Sequence, residues 1–376
     1  MKVMRENPFK PIEHWFKDLF FSAFRGFLKK GRTDFRPVDG RRTARVLFLR
    51  PEKIGDMIIS FPVFDGLKRH FPHIKIAVLG SPRNYAIIKN DPRFDRVFLY
   101  RKSPLRDIRE LMAMRREKYD CVIDMIGNDS VTALFLSQLC APGKPRIGVG
   151  KQKYREYYDF NYDHRRGNTG HIIENTLKLL EAFAIDSESI SCYSRPYINE
   201  RADTRARDFI GTLTNGDRSI LKIGYNMSAG SPTRIWAEEK STDLLKRLLR
   251  FSPGCRIVLF TVPSERKRGL RLKEQLGEGV EIVPDGIDLI GASALINYLD
   301  IMITPDTSLV HIARAFEVPV VGLYSRYMKN FLLWRPYGQH SGAVVSGCDG
   351  NIFDITVDQV YDTFVELVEE YSLVNR

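Results

Sequence analysis

Residues 45–62 read RVLFLRPEKIGDMIISFP, and the fold follows from how this run divides. RVLFL (45–49) is a short, nearly continuous apolar run that stops at Arg50 and Pro51. From about Asp56 to residue 70 the apolar positions take helical spacing. A strand that is apolar on both faces needs cover on both faces, which a parallel sheet flanked by helices supplies. The run reads as the first strand and helix of a βα series, with Gly55 and Asp56 at the hand-over.

The same alternation continues outward. KIAVLG (75–80), RVFLY (96–100), CVIDM (121–125) and RIGVG (146–150) are strand-like, separated by helical patterns near 82–90, 104–117 and 129–140. Residues 151–170 are polar, aromatic and basic without a period, so the spacing predicts a long loop there, followed by a helix over 171–183. The alternation then restarts. LKIGYNM (221–227), RIVLFT (256–261), VEIVP (280–284), IMIT (301–304) and VPVVGLY (318–324) alternate with helices near 238–250, 264–275, 292–298 and 307–316. This predicts two Rossmann-like, doubly wound α/β domains facing a central cleft, over residues 44–200 and 201–376, with the C-terminal helix returning to the first domain. Neither half carries the dinucleotide-binding G-x-G-x-x-G or the P-loop motif in the right place.

Composition agrees with a globular protein of two cores: 376 residues, 43% hydrophobic and 28% charged. The five cysteines are odd in number, scattered and without a C-x-x-C pair, which argues against a disulfide framework or a zinc site and favours a reducing cytoplasm. The net charge of +12 is concentrated early: residues 1–45 hold twelve Lys/Arg against five Asp/Glu. Nucleic acid is the weakest partner for this charge, because it is interleaved with apolar residues and no groove-reading motif follows. IEHWFKDLFFSAFRGFLKK (12–30) places Trp15, Phe16, Leu19, Phe20, Ala23, Phe24, Phe27 and Leu28 at helical spacing, too short and too polar to span a bilayer. Its apolar face either packs on the protein's own body or lies on an anionic membrane surface, with Lys29, Lys30, Arg32 and Arg36 attracting the headgroups.

Three strand ends carry polar groups. Asp56 suits a helix cap, but at the carboxyl edge of the first strand it also looks into the cleft, where it can deprotonate a hydroxyl; Gly55 lets backbone approach a ligand closely. Asp306, Thr307 and Ser308 open a helix whose free N–H groups suit a pyrophosphate, with His311 one turn on. After the second domain's first strand, the small-residue loop from Ser228 through Gly230 to Ser231 can wrap phosphate oxygens, and Arg234 can neutralise them.

RVLFLRPEKIGDMIISFPVFDGLKRHFP (45–72), GYNMSAGSPTRIWAEEKSTDLLKRL (224–248), LFTVPSERKRG (259–269) and ITPDTSLVHIARAFEVPVVGLY (303–324), in this order and spacing, resemble the glycosyltransferase family 9 heptosyltransferases. The resemblance covers roughly residues 44–370. It implies a GT-B fold, with the acceptor on the N-terminal domain and the nucleotide sugar on the C-terminal one. The implied reaction is inverting transfer of a heptose from ADP-heptose to a lipid-linked inner-core acceptor of lipopolysaccharide. The implied place is the inner face of the bacterial inner membrane. By motif, Asp56 matches the catalytic base, Asp306, Thr307 and His311 the nucleotide-sugar site, and Glu265 the acidic residue that holds the nucleoside. Ser308 stands where many members have glycine, and Arg234 where many have lysine. These departures keep open a same-fold transferase using another nucleotide sugar; a non-catalytic two-lobed binding protein is the alternative outside enzymes. Lys53, Arg83, Arg101 and the 151–166 loop are candidates to meet an acidic acceptor. No D-x-D motif stands at a donor-side strand end, so no obligatory metal is expected.

Overall fold

The computed structural model describes residues 19, 21–23, 25–164, 170–252, 254–326 and 328–374. The first domain holds β1 (Arg45–Leu49), α1 (Ile54–Ile58), α2 (Phe61–His70), β2 (Lys75–Gly80), α3 (Tyr85–Ile88), β3 (Arg96–Leu99) and α4 (Pro104–Arg116). It continues with β4 (Cys121–Asp124), α5 (Val131–Cys140), β5 (Arg146–Val149), β6 (Phe160–Tyr162) and α6 (Ile172–Leu177). The second domain comprises α7 (Glu200–Leu213), β7 (Lys222–Asn226), α8 (Glu238–Phe251), β8 (Arg256–Phe260), α9 (Arg266–Leu276) and β9 (Val280–Ile282). It ends with α10 (Leu289–Asn297), β10 (Ile301–Pro305), α11 (Ser308–Ala315), β11 (Val320–Tyr324), α12 (Met328–Trp334), β12 (Ala343–Val345) and α13 (Val357–Glu370).

Each sheet has six parallel strands in the same order, β3-β2-β1-β4-β5-β6 and β9-β8-β7-β10-β11-β12. This is the doubly wound arrangement, and its crevices fall where the chain reverses direction across the sheet: between β1 and β4, and between β7 and β10. The strands beside those crevices are apolar because both faces are covered: Val46, Leu47, Phe48 and Leu49 of β1 are buried, as are Ile301, Met302 and Ile303 of β10.

Several elements differ from expectation. The helix expected over 56–70 is two helices, because the Ser60 hydroxyl donates to the Asp56 carbonyl at 2.7 Å and Pro62, lacking an N–H, begins a new helix. Residues 151–164 are not a loose loop: a 3₁₀ turn at Arg155–Tyr157 leads into β6, which extends the sheet beside β5. α7, which the alternation did not predict, starts at the domain boundary and packs on α10 of the second domain. Among the described residues the C-terminal helix α13 makes its main contacts with α8, β11 and β12 of its own domain rather than with the first, because its apolar stripe of Val360, Phe364, Leu367 and Val368 fills that side of the second sheet.

Of the 12–30 segment, residues 12–18, 20 and 24 lie outside the described set. What is described docks on the protein's own body at its downstream end. Phe21 stacks on Tyr154 at 4.9 Å, and Leu28 joins it against Val131, Leu134 and Phe135 of α5. The Lys29 backbone exchanges hydrogen bonds with the Gln138 side chain, and Lys30 pairs with Glu156. Leu19 and Ala23, members of the predicted apolar stripe, are exposed.

Candidate functional site

Loops at the carboxyl ends of the two sheets enclose a cleft of about 650 Å³. Lys53, Ile54, Gly55, Asp56 and Arg83 line it from the first domain; Gly230, Arg234, Asp306, Thr307, Ser308, His311 and Trp334 line it from the second. Both crevices of the doubly wound sheets therefore open into one space.

On the first side, Asp56 sits in the first turn of α1. Its Oδ2 accepts from the Lys53 N–H at 3.0 Å, so the carboxylate does cap the helix. Its Oδ1 lies 3.8 Å from the Arg50 guanidinium, and the side chain keeps a partial opening to the cleft. Arg50, buried, donates to the carbonyl oxygens of Asp56 and Met125 and pairs with Glu52 at 2.6 Å. The guanidinium thus ties the strand end to the start of the helix and fixes where Asp56 points. Burial pushes the Glu52 carboxyl up to about 7, with the Arg50 charge opposing and the Asp56 charge adding to the rise.

On the second side, Thr307 caps α11, its hydroxyl accepting from the Leu309 N–H at 3.3 Å. The Asn226 amide donates to both Thr304 and Thr307, locking the end of β7 to the end of β10. Arg234 donates to the Asp306 carboxylate and carbonyl, each at 2.9 Å. That pair neutralises itself. Lys53 and Arg83, exposed and without an ion-pair partner among the described residues, make the cleft attractive to anions.

His311 is buried beneath the cleft, edge-on to Trp334 at 5.5 Å. Burial lowers its pKa despite the opposing charges of Asp306 and Asp56, so the neutral imidazole prevails at neutral pH. α1 and α11 pack directly across the domain boundary, and Gly55 is where they meet. A Cβ there would stand 3.0 Å from His311 Cδ2 and 3.8 Å from Ser308 Cα, so the glycine serves close approach of the domains rather than a turn. Gly55→Val is expected to destabilise by roughly 1–3 kcal/mol through overpacking, read as a lower midpoint in urea. An unchanged midpoint would show that the contact is slack.

The boundary has a second fixed point at His171. Its Nδ1 accepts from the Ile173 N–H at 3.2 Å and its Nε2–H donates across the domains to the Arg335 carbonyl at 2.9 Å. Burial first, then the neighbouring His311, lower its pKa from 6.5 to about 3. The unfolded chain therefore binds this proton at a higher pH than the native one. The stability tied to neutral His171 is complete above about 6.5 and is lost as pH falls towards 3, by at most roughly 1.4 kcal/mol per pH unit. His171→Asn is expected to flatten that part of the stability curve, measured by denaturant titration from pH 4 to 8.

Other anticipated residues lie away from the cleft lining. Ser228 is buried, its hydroxyl accepting from the Val262 N–H at 3.1 Å, and so joins the loops after β7 and β8. Glu265 lies on the 3₁₀ turn after β8, beside Arg268 at 3.4 Å. Arg101 pairs with Glu110 at 2.8 Å at the end of β3, and the 151–164 segment builds the far edge of the sheet. Two residues that shape the site were not anticipated. Trp334 follows the last predicted strand and carries no spacing signal; Arg50, a charge at the end of a buried strand, is the signal that was there to read. Among the described residues no group of three or more His, Cys, Asp or Glu is placed to hold a metal ion.

Comparison with known proteins bears on this geometry. The profile of glycosyltransferase family 9 (heptosyltransferase) matches residues 108–351. Lipopolysaccharide heptosyltransferase 3 of Escherichia coli is 21% identical over 308 residues, covering 76% of this chain and 84% of that protein. A glycosyl transferase family 9 structure from Veillonella parvula superposes with a TM-score of 0.73 at 20% identity, covering 90% of this chain and all of the other. E. coli heptosyltransferase WaaC with ADP-2-deoxy-2-fluoro heptose gives 0.64 at 21% identity, covering 87% of this chain and 99% of that one.

Proposed function

From the premise that the chain is a glycosyltransferase of family 9, we propose that it transfers a heptose from ADP-heptose, with inversion, to a lipid-linked inner-core saccharide. The observation that carries this reading is the shared cleft, with Asp56 on one wall and the Thr307-capped start of α11 with Arg234 on the other. WaaC, of the same fold, has been captured with an ADP-heptose analogue, which supports this choice of donor.

In this reading the sugar lies between the walls. The acceptor hydroxyl oxygen forms a bond to the anomeric carbon, the bond from that carbon to the diphosphate oxygen breaks, and ADP leaves. Asp56 takes the hydroxyl proton as general base. Negative charge grows on the departing diphosphate, where the N–H groups opening α11 stabilise it and Arg234, its charge balanced by Asp306, offers its remaining N–H donors. Arg234 is already held at 2.9 Å by Asp306, so little reorganisation is needed at the moment of reaction. Neutral His311 supplies a ring N–H at the same wall without adding a charge. Glu265, beyond the cleft on the neighbouring strand end, is assigned to the nucleoside. Lys53 and Arg83 meet the acidic acceptor.

Thermal-shift titration with ADP, UDP, GDP and CMP tests the donor, since a ligand of the native state raises its stability by mass action. Selective stabilisation by ADP is the expected result; a larger shift with another nucleotide would replace the donor and leave the reaction class standing.

A further inference from the structure

Helix α4 carries an exposed apolar stripe. Leu105 is 80% exposed, Ile108 53% and Met112 52%, at i, i+3 and i+7, so they form one row along the helix. Single exposed apolar residues are ordinary on a protein surface, but a row along one helix is not a scatter. The inward side of α4 is already satisfied by Leu111, Ala113 and Met114 in the sheet's second apolar cluster. The stripe is therefore not a misplaced core face.

The charges around it are one-sided. Both acidic residues of α4 are engaged inside the protein: Asp107 accepts from the N–H groups of Arg101 and Ser103, and Glu110 pairs with Arg101. Lys102, Arg106, Arg109, Arg115 and Arg116 are exposed, and none makes an ion pair among the described residues. α4 packs on α5, and α5 in turn carries the docked Phe21–Leu28 end of the N-terminal segment. Leu139 on α5 is a further exposed aliphatic side chain, 40% exposed, on the helix that packs against α4.

We infer that this α4–α5 face is a docking surface for an anionic lipid bilayer. A row of aliphatic side chains flanked by unpaired cations matches the interfacial region of such a membrane, where apolar groups enter the acyl boundary and cations meet the headgroups. A groove of about 570 Å³ runs from Ile108 between α4 and α5 to Pro51 and Glu52, on the loop that leads to Asp56. The groove ends at Glu52, next in the chain to Lys53 of the cleft wall, so a membrane docked on this face would lie beside the first-domain side of the cleft. The inference deepens the reading of a lipid-linked acceptor, yet its test uses neither donor nor acceptor, so the two fail separately.

The full chain is sedimented with vesicles of equal parts phosphatidylglycerol and phosphatidylcholine, and with phosphatidylcholine alone. Binding to the anionic vesicles is expected, with affinity falling on the order of tenfold in Ile108→Asp/Met112→Asp and in Arg106→Gln/Arg109→Gln. All four positions are exposed, and an unchanged urea midpoint certifies that the fold is intact. The inference is overturned if the parent fails to pellet with anionic vesicles, or if both double variants bind as the parent does. It is equally overturned if removing residues 1–18 abolishes binding that the α4 variants leave untouched, or if the parent is a dimer that these variants dissociate without changing vesicle binding.

Discussion

Asp56→Ala is expected to lower kcat by about 10²–10⁴-fold, the range for loss of a positioned general base, while the stabilisation by ADP stays near that of the parent. The separation is geometric: Asp56 stands on the first domain, whereas the residues assigned to the nucleotide stand on the second. The alanine also removes the acceptor for the Lys53 N–H, a capping bond worth about 1 kcal/mol. Asp56→Asn resolves the ambiguity. Its amide oxygen can still accept that hydrogen bond but has no basicity, so it should match alanine in rate and the parent in stability. If Asn retained most of the turnover, Asp56 would be a cap and the base would have to be sought elsewhere on the cleft wall.

The second large effect concerns stability. Lys151→Met is expected to cost roughly 3–5 kcal/mol, because it leaves a buried carboxylate without its counter-charge. Lys151 Nζ lies 2.7 Å from Asp124 Oδ2, and neither side chain has any exposure. The same ammonium donates to the carbonyls of Ile126 and Asn128, and the Tyr158 hydroxyl donates to Asp124 Oδ2 at 2.6 Å. Every proton of the ammonium is used. Adding Asp124→Leu to Lys151→Met should recover part of the loss, since removing both partners removes the unpaired charge. Urea midpoints for the three variants decide it; a loss below about 1 kcal/mol for Lys151→Met would mean that water reaches Asp124 and the pair is not a structural tie.

That ion pair also marks where reading residues in order stops being enough. Lys151 lies in KQKYREYYDFNYDHRRGNTG (151–170), which has no period and a polar, basic composition, so a loop was the reasonable expectation. In the folded chain Lys151 and Tyr158 are among the most deeply buried large side chains, and Phe160–Tyr162 forms an edge strand. The three residues of β6 and of β12 are too few to establish an alternation. Their pairing is supplied by the neighbouring strand. The N-terminal segment shows the opposite case. Its apolar spacing was plain, but among the described residues Phe21, outside the predicted stripe, docks beside Tyr154 and Tyr157 together with Leu28 of the stripe, while Leu19 faces out.

Along the chain, periodicity and strand-end chemistry are local properties. They sufficed for two α/β domains, for the strands that carry the site, and for placing Asp56 and Asp306 at carboxyl ends. A strand apolar on both faces has few architectures open to it, and a helix that follows at once fixes which end the polar loop occupies. Contacts between distant residues are another matter. That Gly55 rests on His311, that Arg234 is held by Asp306, and that Arg101 turns to Glu110 instead of the cleft depend on side chains brought together from separate segments. A glycine or an arginine has the same intrinsic preferences wherever it stands. Packing chooses its neighbour, because only the closed chain sets which charge is within 3 Å of which and which glycine has no room for a Cβ.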